Sequence, residues 1–243
     1  MSSLDASANL NRWRRKSLAE KSLLALGMLV IAIAVPSWQS ALLVAALMIG
    51  ATLLGARVEF SAWWKAMTAP LGFLIVGVIT VALQVDGWHI GLAPQGLEQA
   101  GRLAAGALAG LSCLLFLALT TPATDLVAGL RRVGLPAEIT EMALLMYRFI
   151  FLLLDTAGSM HAAQAARLGH VTYRRHLNSL SLLIANLLPR AFARAQALEV
   201  GLAARGWHGD LRVLSPVRHG SPANFTIILC LESVVLLIGL HLS

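Results

Sequence analysis

Charge is scarce in this chain, and that scarcity sets the first limit on what it can be. Only 13% of its 243 residues are Asp, Glu, Lys or Arg, against 58% apolar residues, and the mean hydropathy is +0.74. Such a composition is too apolar for an ordinary soluble domain and belongs in a bilayer. The two cysteines, Cys113 and Cys230, both lie in apolar runs, which offers neither a disulfide framework nor the paired spacing of a zinc site. Lysine occurs only at Lys16, Lys21 and Lys65, and none follows a glycine-rich phosphate loop, so ATP is not bound by that device. No small-residue cleavage site follows a short apolar core near the N-terminus, and a cleavable signal is not expected. No Ser/His/Asp or Cys/His grouping stands out, so the chain does not read as an enzyme. His161, His170, His176, His208 and His219 lack the spacing of a ligand set, and no bound metal or other cofactor is expected.

Five apolar stretches approach the ~20 residues that cross ~30 Å of hydrocarbon as helix. They run over 20–37, 40–56, 67–85, 97–120 and 223–242. Pro36, Ser37 and Trp38 separate the first two as a tight hairpin, Trp63 and Trp64 beside Lys65 form an interfacial anchor before the third, and 86–95 is a loop. Between 121 and 220 the apolar segments shorten and arginines recur every few residues. This stretch reads as one helical module with helices at 122–133, 137–168 and 177–205, broken at Gly134-Leu135-Pro136. The predicted fold class is therefore all-α, a polytopic membrane protein of about five spans. Its parts are an N-terminal segment and four spans (1–120), a helical module (121–220) and a last span (221–243).

Of the 19 Lys and Arg residues, 11 fall in 121–220, five stand at or before the start of the first stretch, and two lie between the second and third. The short loops at 36–40 and 86–96 hold none. By the positive-inside rule the N-terminus and the module face the cytoplasm and the C-terminus lies outside the inner membrane. The net charge of +7 follows this topology and the pull of anionic lipid. It does not form one patch with interleaved aromatics, so nucleic acid is not an expected partner.

Two helix ends in the module resemble each other. One reads Ala165-Ala166-Arg167-Leu168-Gly169-His170 and the other Ala203-Ala204-Arg205-Gly206-Trp207-His208. A last-turn arginine complements the helix dipole and glycine favours a left-handed cap, so helix termination accounts for one such site. A repeat at a spacing of 38 points to a shared task, such as presenting a planar, permanently charged fork to a partner. Small residues at Ala162, Ala163, Ala166, Ala191, Ala193, Ala195, Ala197 and Gly201 fit helices that cross closely. Glu141, Arg148 and Asp155 recur every seven residues as one polar stripe, read as structural ion pairing. Glu98 and Arg102 can pair at i,i+4, and Glu232 is the other ionisable group at membrane depth.

Three features resemble the T components of energy-coupling-factor transporters, within them the cobalt/nickel branch called CbiQ. They are Arg12-Trp13-Arg14-Arg15-Lys16-Ser17 before the first span, Met146-Tyr147-Arg148-Phe149 through Asp155 to Arg167, and Arg194-Ala195-Gln196-Ala197-Leu198-Glu199 leading to Ala204-Arg205-Gly206. The order of elements is similar over nearly the whole chain. The resemblance implies crossed coupling helices whose two Ala-Arg-Gly signatures rest in grooves of two ABC-type ATPase subunits, which bind the ATP. By motif these map to Ala204, Arg205 and Gly206, and less fully to Ala166, Arg167 and Gly169, because Leu168 stands where the signature has glycine. It further implies a separate substrate-binding membrane subunit holding cobalt, nickel or a vitamin. A self-contained secondary transporter is the competing class, for which the chain shows no internal inverted repeat.

Overall fold

The computed structural model describes residues 8, 11–35, 37–86, 89–92, 96–206 and 220–241. It shows an all-α polytopic membrane protein, with eight α-helices among the described residues: α1 (Leu18–Ala34), α2 (Trp38–Gly50), α3 (Phe60–Ala82), α4 (Gly96–Thr120), α5 (Ala123–Leu130), α6 (Ala137–Ala166), α7 (Tyr173–Ala203) and α8 (Pro222–His241). The chain forms two compact units, Met1–Leu126 with Val217–Ser243, and Val127–Pro216.

Four helical stretches of the first unit are long and apolar enough to cross a membrane: Trp38–Gly55, Phe60–Ala82, Gly96–Thr120 and Pro222–His241. The first of these is α2 prolonged by a π-helical turn over Ala51–Gly55. Helix α1 has 17 residues, the lower limit for crossing hydrocarbon, and carries Glu20 and Lys21 in its first turn. Helix α4 is the hub, with α1, α2 and α3 packed on it and α8 resting on α1 and α2. Along α4 the buried positions include Gly96, Ala100, Ala105, Ala109, Ser112 and Cys113, small residues that let neighbouring backbones approach, and Phe116. Ala105, Ala109, Cys113 and Phe116 cluster with Leu24, Ala25, Met28 and Ile31 of α1, Val44 and Met48 of α2, and Val235 of α8.

The N-terminal basic segment is folded into this bundle. Trp13, in a 3-10 turn at Arg12–Arg15, stands edge-on to Phe116 with ring centroids 5.5 Å apart, and Lys16 Nζ lies 4.0 Å from the Trp13 ring centroid. Asn11 donates from Nδ2 to the carbonyls of Leu119 and Thr120 at the end of α4. Lys21, fully buried, donates from Nζ to Thr120 O at 2.7 Å. Its neighbour Glu20, also buried, accepts from Ser221 N at 2.9 Å and Asn224 Nδ2 at 3.1 Å at the start of α8. The start of α1, the end of α4 and the start of α8 therefore share one end of the bundle. Helix α1 thus belongs to the bundle as a fifth helix beside the four long apolar stretches.

Several boundaries differ from the sequence reading. Helix α3 begins at Phe60, seven residues before 67, so the tryptophans lie inside it. Trp63 is buried with Met67, Leu115 and Leu119 because it faces α4, while Trp64 is half exposed; Trp63 is thus a packing residue and not an interfacial anchor. The loop after α3 contains a two-stranded antiparallel hairpin, Leu83–Asp86 with His89–Leu92. Helix α7 starts at Tyr173, not 177, because Thr172 Oγ1 accepts from Arg175 N as an N-cap, and it runs through Pro189 without ending. The break at Gly134 is as expected, with φ +105°. Pro36, Arg212, Pro216, His219 and Ser243 lie outside the described residues.

Removing the Lys21 donor leaves the terminal carbonyl of α4 without that partner in a dry site. Lys21→Met is expected to destabilise the bundle by about 1.5–3 kcal/mol, the range for a hydrogen bond to a charged group. An exposed substitution such as Phe73→Leu should change little. Thermal unfolding in detergent measures both; an unchanged melting temperature for Lys21→Met would show that the closure is not structural.

Candidate functional site

In the second unit, α6 and α7 have 30 and 31 residues, or about 45 Å each at 1.5 Å per residue. They are joined by a corner at 167–172. Gln164 Nε2 donates to Ser179 O at 2.9 Å, and Ser179 Oγ donates to Gly169 O at 3.0 Å. A Cβ on Gly169 would lie 2.6 Å from Ser179 Oγ and 2.9 Å from Gln164 O, so glycine is required there by close approach. The buried residues of α7 are Ser179 and Leu183, both near this corner. The small residues expected at a close crossing are elsewhere: Ala162, Ala163, Ala166, Ala193, Ala195 and Ala197 are exposed, Ala191 is half-buried, and Gly201 faces open space. The contact is concentrated at the corner because that is where Gln164 and Ser179 can reach each other.

The two helix ends have the same local geometry. After Arg167 the chain enters the left-handed region at Leu168 (φ +57°), and after Arg205 it does so at Gly206 (φ +72°). Leu168 N donates to Ala165 O and Gly206 N to Ala203 O, each at 3.0 Å, and Gly169 N donates to Gln164 O at 2.9 Å. This is the hydrogen-bond pattern of a Schellman termination, with Leu168 in the place usually held by glycine. The counterpart of Gly206 is thus Leu168, while Gly169 serves the corner. Both arginines, with Ala166 and Ala204 before them, are exposed. Trp207, His208 and Gly209 lie outside the described residues.

Glu141 is half-buried on α6, whereas Arg148 and Asp155 are exposed and form no salt bridge with one another, two turns apart. Glu98 and Arg102 do pair, at 2.8 Å. The structure brings together three histidines that their spacing did not connect. His161 and His170 stack with centroids 4.4 Å apart, and His176 meets His170 with Nδ1 atoms 2.9 Å apart. The corner itself causes this, by folding 176 back toward 161. Even so, among the described residues no group of three or more His, Cys, Asp or Glu is arranged to hold a metal ion.

A bundle with four helical stretches long and apolar enough to cross a membrane, together with a second helical unit, defines a polytopic all-α membrane protein. The family model described as "CbiQ: Cobalt transport protein" matches residues 10–215. The chain is 48% identical over 242 residues to the cobalt transport protein CbiQ of Rhodobacter capsulatus, covering 100% of this chain and 99% of the relative. It is 30% identical over 228 residues to the cobalt transport protein CbiQ of Salmonella typhimurium, covering 88% and 100%. A putative fused cobalt transport protein CbiMQ of Methanocorpusculum labreanum is 29% identical over 231 residues, 90% of this chain and 39% of that protein. The chain belongs to the CbiQ family of cobalt transport proteins.

Leu168 in a left-handed conformation carries strain that glycine would not, and its side chain is exposed. Leu168→Gly is expected to stabilise the second unit by about 1 kcal/mol, the penalty for an L-residue in that region. Gly169→Ala, which overlaps Ser179 Oγ, should instead lower stability. Proteolytic resistance of the 167–172 corner distinguishes them; equal behaviour of the two variants would contradict the assignment.

Proposed function

We propose that the chain is the transmembrane coupling (T) component of an energy-coupling-factor importer for cobalt or nickel ions. It passes conformational change in two cytoplasmic ABC-type ATPase subunits to a separate substrate-binding membrane subunit. The observation that carries this reading is the matched pair of exposed arginines, Arg167 and Arg205, each set just before a left-handed residue at the end of a helix of some thirty residues. One terminating arginine is ordinary. Two in the same geometry, both exposed, fit docking into two equivalent grooves.

Family membership and the names of the relatives support cobalt as cargo. The fused relative supports a membrane partner, since this chain corresponds to only 39% of that polypeptide. Exposed apolar ridges support it too: Met142, Met146, Ile150 and Leu154 on α6, and Leu180, Ile184, Leu188 and Phe192 on α7, each at the four-residue spacing of a packing ridge. Coupling then requires that docking free energy differ between the open and closed states of the ATPases, because equal affinity for both would shift nothing. Rigid, long helices joined by a hydrogen-bonded corner transmit such a difference over distance.

Arg205→Ala is expected to leave the protein folded and inserted while weakening ATPase association by ~2–5 kcal/mol, the usual cost of truncating a buried interfacial charge. A solvated cap contributes only about 0.3–1 kcal/mol to its own helix. Arg205→Lys should rescue in part, because an ammonium lacks the planar fork. Wild-type ATPase recovery with the double Arg167→Ala, Arg205→Ala variant would remove the basis of the proposal. The orientation follows separately from the arginine distribution. In a Cys230→Ser background, a cysteine at Gly91 should react with an impermeant maleimide applied to intact cells, and one at Arg131 should not. Labelling at 131 would reverse the topology.

A further inference from the structure

Helix α8 carries one carboxylate, Glu232, at the eleventh of its 20 residues and so near mid-bilayer. Its side chain lies over Gly27 of α1, where any Cβ would overlap the carboxyl group. The absence of that Cβ is what admits the carboxylate between α1 and α8. Glu232 Oε1 is buried and has no hydrogen-bond partner. The Glu232 side chain is part of the lining of a groove of about 660 Å³ whose walls also include Leu26, Gly27, Val30, Leu229 and Ser233. Leu26, Val30 and Leu229 are half exposed or more, so the groove faces outward from the bundle. Helix α3 gives the contrast. It is still less covered than α8, yet beyond Lys65 and Thr68 its bare face is Phe73, Ile75, Val76 and Ile79, with Thr80, whose Oγ1 donates to Val76 O within the helix, and it carries no charge there. Lipid tails offer no donor to a carboxylate, and intramembrane ionisable groups face protein or water.

Resting on the proposed coupling role, we propose that the α1/α8 groove docks a transmembrane helix of the substrate-binding membrane subunit, which places a hydrogen-bond donor or cation on Glu232. Charge complementarity selects this occupant. The groove is apolar except for the Glu232 carboxylate and the hydroxyls of Ser22 and Ser233, which donate to Ala19 O and Leu229 O of their own helices, so it fits an apolar helix with one donating side chain at mid-membrane. A fused relative in which the matching segment is joined to further chain is consistent with a membrane neighbour at this short range.

The test uses the whole complex co-expressed in its membrane. A photoreactive benzoylphenylalanine placed at Val30 or Leu229, in an otherwise wild-type chain, is expected to cross-link to the substrate-binding subunit, and the same probe at Phe73 is not. Glu232→Leu should reduce recovery of that subunit by roughly tenfold or more, as loss of a charge-assisted hydrogen bond does. Glu232→Gln, which still accepts, should keep most of it. ATPase recovery should be unchanged in both variants. Cross-links from Val30 and Leu229 only to lipid, or to a second copy of this chain, would overturn the proposal, as would full recovery with Glu232→Leu. If Glu232→Leu fails to fold, the cross-linking from the wild-type background decides alone. Failure of the ATPases to co-purify with the wild-type chain would instead refute the coupling role, a result separable from any at the groove.

Discussion

Helix ends expose backbone donors and acceptors that a bilayer cannot satisfy, and here the first turn of α1 supplies partners for two of them. Glu20 accepts from the start of α8, and Lys21 donates to the end of α4. Each charge has the sign that the adjoining helix dipole favours, negative at an N-terminus and positive at a C-terminus. Adjacent in sequence, the two residues draw together helix ends about a hundred and two hundred positions away. The small-residue face of α4, the docking of Trp13 on Phe116 and the placement of α8 on α1 all follow within that constraint.

The chain leaves the bundle after α4 and rejoins it at α8, and between these points it forms the second unit. Its own organisation rests on one tight place, the corner where Gly169 admits Ser179 and Gln164 reaches the Ser179 carbonyl. Away from the corner the long helices are largely uncovered, and their apolar ridges and terminal arginines are available to other chains. In a helical membrane protein so bare, exposed features with a repeated geometry carry more functional meaning than they would on a soluble surface, where charged helix ends are commonplace.

Much of the membrane portion was legible in the residues. Length and apolarity marked five stretches, three of which agree within two positions with helices long enough to cross a membrane, and the i,i+4 spacing of Glu98 and Arg102 foretold their salt bridge. The start of α3 was not legible, since Trp63 and Trp64 beside a lysine look like an interfacial belt until packing shows one ring turned onto α4. The histidine cluster escaped notice because spacing along one helix cannot reveal neighbours brought together by a turn.

By itself the sequence determined the all-α membrane class and the two similar helix ends, because each depends on composition or on short-range pattern. Only tertiary structure showed that Leu168 takes the left-handed conformation that Gly206 also has, since a left-handed φ is a backbone property that no residue identity demands of leucine. Only tertiary structure placed Lys21 at the end of α4 and Glu232 over Gly27. A buried charge finds its partner through long-range packing, and the energetic cost of leaving it unpaired constrains the fold without naming the partner in advance.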